Sequence, residues 1–328
     1  MKYIFISLFA AFLFISNHPN NNKSSNPKID PSIFGKGIIS TADDEFGATF
    51  TPDNKTCFFT IKSPSTISSN VIVICFSHLI NGKWTEPEIA PFSGKYRDFN
   101  PSISPDGSKL FFISNRPIDD KQKKDLDIWM AEKNGDEWSK PKNIGEPVNS
   151  KGWELSCSVA SDGTLYFSST GTTGNPDIYR SKFENGKYQQ PENLGDSINT
   201  PNAETDPFIA PDQSYILFAS QGRADGLSEA GASTSYPRGD LYISFNKNGK
   251  WTTAKNLGPQ INSTAEESNP FVSRDGRTLY FTSERNFVTI PMKQKLDYNT
   301  LENHLHDNTN GLGDIYQIPV SEFINNFH

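Results

Sequence analysis

One phrase recurs along this chain and constrains its fold more than any other feature. It reads Asn100-Pro101-Ser102-Ile103-Ser104-Pro105-Asp106-Gly107, running on into Leu110-Phe111-Phe112. It returns as Ser158-Val159-Ala160-Ser161-Asp162-Gly163-Thr164-Leu165-Tyr166-Phe167, and as Asp206-Pro207-Phe208-Ile209-Ala210-Pro211-Asp212 with Ile216-Leu217-Phe218. The last copy is Asn269-Pro270-Phe271-Val272-Ser273-Arg274-Asp275-Gly276, followed by Leu279-Tyr280-Phe281. A degraded first copy is Ala48-Thr49-Phe50-Thr51-Pro52-Asp53-Asn54 with Cys57-Phe58-Phe59. Each copy is a short strand, a tight turn at the aspartate and an aromatic strand, which is a hairpin signature.

A second phrase follows each hairpin: Asp127-Ile128-Trp129, Asp177-Ile178-Tyr179, Asp240-Leu241-Tyr242 and Asp314-Ile315-Tyr316. Nine residues after the aromatic stands another, Trp138, Tyr188 or Trp251, across an Asn-Gly turn; Cys75 takes the aromatic slot nine before Trp84. A third phrase ends the unit: Pro141-Lys142-Asn143-Ile144-Gly145, Pro191-Glu192-Asn193-Leu194-Gly195 and Lys255-Asn256-Leu257-Gly258, closed by Asn149-Ser150, Asn199-Thr200 and Asn262-Ser263. The unit therefore has four strands and returns every 50 to 63 residues, counted between turn aspartates. Four antiparallel strands at this period predict a propeller blade, which buries its faces by stacking on its neighbours. The composition agrees. Gly 23 and Pro 22 against Met 3 disfavour a helical bundle, and 12% aromatics disfavour disorder.

The expected fold is all-β, a five-bladed β-propeller of four-stranded antiparallel blades over residues 28–322. The blades fall at about 45–93, 97–150, 154–200, 204–263 and 267–318. The fifth copy ends without a fourth strand. Residues 31–40, Pro31 to Ser40, match the fourth-strand phrase 141–150 in register, so an N-terminal strand is expected to complete the last blade and close the ring. Six blades is the alternative, if residues 286–310 hide another.

Met1–Ser16 carries Lys2 and then an apolar run from Tyr3 to Ile15. Thirteen helical residues reach only about 20 Å, short of a bilayer, so residues 1–16 read as a signal peptide. Residues 17–27 read as a flexible polar leader. No cysteine lies near for a lipid anchor, and no later stretch is apolar enough to span a membrane. The expected location is the periplasm or the medium. A net charge of −7 argues against nucleic acid as a partner. Three cysteines make no metal-ligand spacing and no disulfide framework, and Cys57 is expected to act as a core residue.

These phrases, above all Ser104-Pro105-Asp106-Gly107, Ser161-Asp162-Gly163, Ser273-Arg274-Asp275-Gly276 and the Asp-Ile-Tyr phrases, resemble the WD40-like repeat of TolB-type periplasmic propellers across about residues 30–320. The resemblance implies the propeller fold. TolB itself has six blades and a separate N-terminal α/β domain; this sequence shows five and leaves no room for the domain, so TolB's partners are not carried over. Ser161-Asp162-Gly163-Thr164 also resembles the Asp-box of sialidases, which is a structural turn.

Eight residues before each turn aspartate stands a carboxylate: Glu45, Asp98, Glu154, Glu204 and Glu267. Two residues on are Gly47, Asn100, Ser156, Asp206 and Asn269. Five-fold closure would gather these positions at one mouth of the central channel. Like charges there would raise one another's pKa or attract a cation, and a hard cation such as calcium takes such oxygens; no other cofactor is expected. In the other reading, each carboxylate is held inside its own blade by backbone amides or by Arg116, Arg223 and Arg285, which follow the second strands. Repetition in every blade favours this structural role. The long insertions, 62–70, 117–124, 222–239 and 284–311, all join strands two and three and so surround that mouth, marking it as the ligand face.

His304-Leu305-His306 is a weak metal signal, and Trp84, Trp138 and Trp251 sit too regularly to form a sugar platform rather than blade packing. No nucleophile elbow, phosphate loop or zincin helix occurs. The expectation is an exported, monomeric binding or scaffolding propeller that engages a protein, peptide or glycan. The alternative is a hydrolase or lyase of glycans or peptides using carboxylates at the mouth.

Overall fold

The computed structural model describes residues 29–63, 71–118, 125–171, 174–227, 239–286, 295 and 297–324. The expected signal peptide and leader, and much of the long insertions, lie outside the described residues.

The four-strand unit is present five times. Blade 1 is Asp44–Phe50, Thr56–Lys62, Ile72–Ile80 and Glu88–Ile89. Blade 2 is Asp98–Ile103, Lys109–Ser114, Asp127–Asn134 and Lys142–Asn143. Blade 3 is Glu154–Val159, Leu165–Ser169, Asp177–Ser181 and Glu192–Asn193. Blade 4 is Glu204–Ile209, Tyr215–Gln221, Gly239–Lys247 and Lys255–Asn256. Blade 5 takes Glu267–Val272, Thr278–Ser283 and Asp314–Pro319 from the end of the chain and Ser32–Ile33 from its start. The ring has five blades rather than six. Where a sixth was the alternative, the described residues hold one helix, Tyr298–Leu305, capped by the Asp297 side chain.

The closing strand pairs antiparallel, Ser32 opposite Gln317 and Ile33 opposite Tyr316, and the Phe34 amide donates to the Ile315 carbonyl at 2.8 Å. Lys142 opposite Met130 and Asn143 opposite Trp129 in blade 2 are the same register. The match drifts by one residue further on. Ser40, not a counterpart of Asn149 by simple counting, takes that asparagine's place by bonding both the amide (3.1 Å) and the carbonyl (3.4 Å) of Ile315.

The recurring phrases are explained by their bonds to one another. The side chain of Asn199 donates to the Ile178 carbonyl (3.0 Å) and to Asn193 Oδ1 (2.8 Å), and accepts from the Ile178 amide (2.9 Å). Asn193 in turn donates to Asp177 and accepts from the Gly195 amide. Asn149 and Asn262 make the same latch in blades 2 and 4. Each latch ties the outermost strand to the Asp-Ile-Tyr strand, where two ladder pairs alone would hold it weakly. At the turns, Ser104 and Ser273 donate to Asp106 and Asp275 and accept from the amides that begin the next strand. Gly107 sits at φ +73°, and a Cβ there would lie 2.7 Å from Pro52, so the turn of blade 2 packs directly on that of blade 1.

Four buried apolar clusters lie between neighbouring blades. The tryptophans of the outer hairpins belong to this packing. Trp84 meets Phe34 and Phe50 edge-on, Trp138 meets Phe58, and Trp251 meets Tyr166. Cys57, Cys75 and Cys157 are buried free thiols, and Cys57 packs in the core as expected.

Candidate functional site

The five carboxylates sit at the start of each innermost strand, on the face that also carries the strand-two to strand-three insertions. They do not ring an open mouth: Glu45, Asp98, Glu154, Glu204 and Glu267 are all fully buried. Four of them reach back four residues to the segment arriving from the preceding blade. Glu45 accepts from the amide and hydroxyl of Thr41, Glu154 from those of Ser150, Glu204 from those of Thr200 and Glu267 from those of Ser263. Asp98, one methylene shorter, takes the Ser93 hydroxyl instead. The carboxylates are therefore fasteners between consecutive blades.

In three blades an arginine completes the fastening. Arg116 meets Asp98 at 2.6 Å, Arg223 meets Glu204 at 3.4 Å and Arg285 meets Glu267 at 3.3 Å. Each guanidinium also bonds a serine of the second strand and a backbone carbonyl, and covers aromatic rings, three for Arg116 and two for each of the others. Among the described residues blades 1 and 3 have no such arginine. Burial accordingly pushes Glu45 and Glu154 up to about 7, with hydrogen bonds from Thr41, and from Ser169 and Ser150, opposing the rise.

What does face the axis is the second ring. Gly47, Asn100, Ser156, Asp206 and Asn269 line a channel with the two residues that follow each of them. In four blades this position is left-handed: Gly47 at φ +67°, Asn100 at +51°, Asp206 at +53° and Asn269 at +48°. The innermost strand bulges there. Glycine, asparagine and aspartate are the residues that tolerate this conformation, so the backbone selects them as much as the channel does.

The structure brings three of the expected site residues together. Asn269 donates to Asn100 Oδ1 at 3.0 Å, and Asn100 reaches Asp206 Oδ1 at 3.4 Å and the Leu155 carbonyl at 2.9 Å. This bridge joins blades 2, 4 and 5 across the axis. At the turn end, Arg274 of blade 5 reaches over to the Ile103 carbonyl of blade 2 at 2.7 Å. The sequence marks Arg274 as the odd residue in a slot that is proline in three other copies, but not as a stopper. Between the two ties the cavity is about 40 Å³, room for a few waters and not for a substrate. Asp206 is the one carboxylate among its described lining residues, and desolvation pushes it up to about 6.

His304 and His306 lie on the exposed helix and beside its end, where His306 contacts Glu302 at 3.5 Å. Among the described residues no three of His, Cys, Asp or Glu gather as a metal site. No described helix is long and apolar enough to cross a membrane.

No protein-family model matches the sequence, and no curated protein does. The fold is similar to TolB from Acinetobacter baumannii, at 16% identity and a TM-score of 0.45 over 84% of this chain and 54% of that one. The chain thus spans about half the length of that relative. It is also similar to an Agrobacterium tumefaciens protein described as a TolB, at 15% identity and a TM-score of 0.47 over 84% and 90% of the two chains. A periplasmic gluconolactonase of Pseudomonas aeruginosa is similar at 16% identity and a TM-score of 0.40 over 73% and 65%. TolB structures thus stand among the propellers similar to this one. At these values no activity or partner passes to this chain.

Proposed function

We propose that this chain is an exported, non-catalytic propeller that holds a protein or peptide partner against its loop-bearing face. The observation that carries this reading is the distribution of exposed large apolar side chains. Seven of the eleven among the described residues lie on that face: Val71, Trp153, Leu227, Tyr298, Leu301, Leu305 and Leu312. Tyr298, Leu301 and Leu305 share one side of the exposed helix. Loops on a rigid scaffold are common binding surfaces, and grouped exposed apolar groups mark contact sites. The five acids are each bonded to a serine or threonine at a blade junction, which supports a fastening role for them over acid–base work.

The test is site-specific photo-crosslinking in the producing cell. A photoreactive residue replaces Leu301 on the loop face or Ile80, which is 56% exposed at the turn end of its strand. A discrete adduct from position 301 and none from position 80 is expected. Adducts from position 80 alone, or from neither, contradict the reading.

A further inference from the structure

We propose that blade 3 contains an empty arginine socket, and that it takes the guanidinium group of an arginine side chain carried by a peptide or protein partner. The chain supplies its own template three times. In blade 5, Arg285 Nε donates to Ser283 (2.9 Å), its Nη2 to Glu267 Oε1 (3.3 Å) and to the Ile261 carbonyl (2.5 Å), and the group lies over Phe281 and Tyr316, 5.5 and 4.8 Å from the ring centres. In blade 4, Arg223 repeats this with Ser220, Glu204, the Ile198 carbonyl, Phe218 and Tyr242. In blade 2, Arg116 repeats it with Ser114, Asp98, the Phe92 carbonyl, Phe112 and Trp129.

Blade 3 keeps the socket and lacks the arginine. Ser169 and Glu154 are in place, bonded at 3.0 Å, and Phe167 stacks with Tyr179 at 5.9 Å. Val148 precedes the Asn149 latch as Ile198 and Ile261 precede theirs. The backbone locates the gap. The amides of Arg116 and Arg285 each donate to the second-strand serine at 3.2 Å, and in blade 3 the Gly171 amide does so at 3.1 Å. Blade 4 also has a left-handed glycine there, Gly222, and places its arginine one residue later, where the sequence of blade 3 has Thr172, which lies outside the described residues.

Two observations mark the arginine's absence among the described residues. All three donors to Glu154 converge on Oε1, while Oε2, buried in a fully buried residue, has no hydrogen-bond partner among the described residues. The aromatic wall is also less covered at Tyr179. Trp129, Tyr242 and Tyr316 are buried beneath their arginines, whereas Tyr179 is half-buried. A carboxylate beside an open aromatic face recognises a planar cation by charge-assisted hydrogen bonds and stacking. Blade 1 makes no second socket. There Ile61 and Val73 stand where blade 3 has Ser169 and Asp177, and Cys75 stands where it has Tyr179.

The inference rests on the proposed function only for the source of the arginine, since a small probe tests the socket by itself. The full chain is titrated at pH 8, where Glu154 is ionised, with N-acetyl-arginine amide, and in parallel with its lysine and citrulline counterparts. Saturable binding of the arginine probe is expected, at least about tenfold tighter than either counterpart. Glu154→Gln, which removes the charge and keeps the shape, is expected to weaken the arginine probe by a similar factor while melting no lower than the parent. Absence of saturable binding, equal binding of the citrulline or lysine probe, or an unchanged affinity in Glu154→Gln overturns the proposal. If crosslinking still captures a partner at position 301, the failure belongs to the socket and not to the binding face.

Discussion

Replacing Phe34 by alanine is expected to cost about 3–5 kcal/mol of stability. The residue follows the closing strand directly and is 6% exposed. Its ring stands 5.4 Å from Phe50, 5.5 Å from Trp84 and 5.0 Å from Tyr280, so it joins the first blade to the last. Losing it removes apolar burial and leaves a cavity at the junction where the two ends of the chain meet. Chemical denaturation of the variant, with the exposed Ser32→Ala as a control within about 0.5 kcal/mol of the parent, measures the effect. A Phe34→Ala loss under about 1 kcal/mol would mean that the junction does not hold the ring.

The second large effect is expected from Arg116→Met. Arg116 is 8% exposed and Asp98 is fully buried, so removing the cation strands a carboxylate in a site with little water. Even with Arg116 present, desolvation keeps the Asp98 pKa above its ordinary value, the arginine and its hydrogen bonds opposing the rise. Breaking one partner of such a pair costs about 3–5 kcal/mol, whereas replacing both by neutral groups is far milder. The double variant Asp98→Asn/Arg116→Met is therefore expected to recover most of the loss, within about 2 kcal/mol of the parent. Equal losses in the single and double variants would show that Arg116 acts through its aromatic contacts and not through the charge of Asp98.

The parts of this molecule that the sequence makes legible are those written in local spacing. The Asp-Gly turns, the paired aromatic strands and the Asn-Gly hairpins each act within a dozen residues, and their repetition carries the blade count and the closing strand. The one-residue drift between Ile33 and Ser40 is not legible, because the latch there is a serine bonding the backbone and not the asparagine of the other blades. The carboxylate positions are visible, but their burial depends on how the segment from the preceding blade folds over them. Thr41, Ser150, Thr200 and Ser263, four residues before their carboxylates, are the signal that points to fastening. The polar second ring reads as a channel lining, while the left-handed backbone at Gly47, Asn100, Asp206 and Asn269 accounts for much of its composition. Gly171 carries no signal of its own. It becomes informative only once its amide is seen to bond the second-strand serine as those of Arg116 and Arg285 do, at a place where blade 4 has Gly222 just before its arginine.

The central claim is that residues near the start of the chain supply the outer strand of the last blade. Hydrogen exchange of the full chain, followed by mass spectrometry of the peptides covering residues 29–41 and 314–319, tests it most directly. The account predicts that the Phe34 amide, bonded to the Ile315 carbonyl at 2.8 Å, is protected to nearly the same degree as the amides of strand Thr278–Ser283. Exchange of residues 32–34 at the rate of an unstructured peptide, while that strand stays protected, would contradict it.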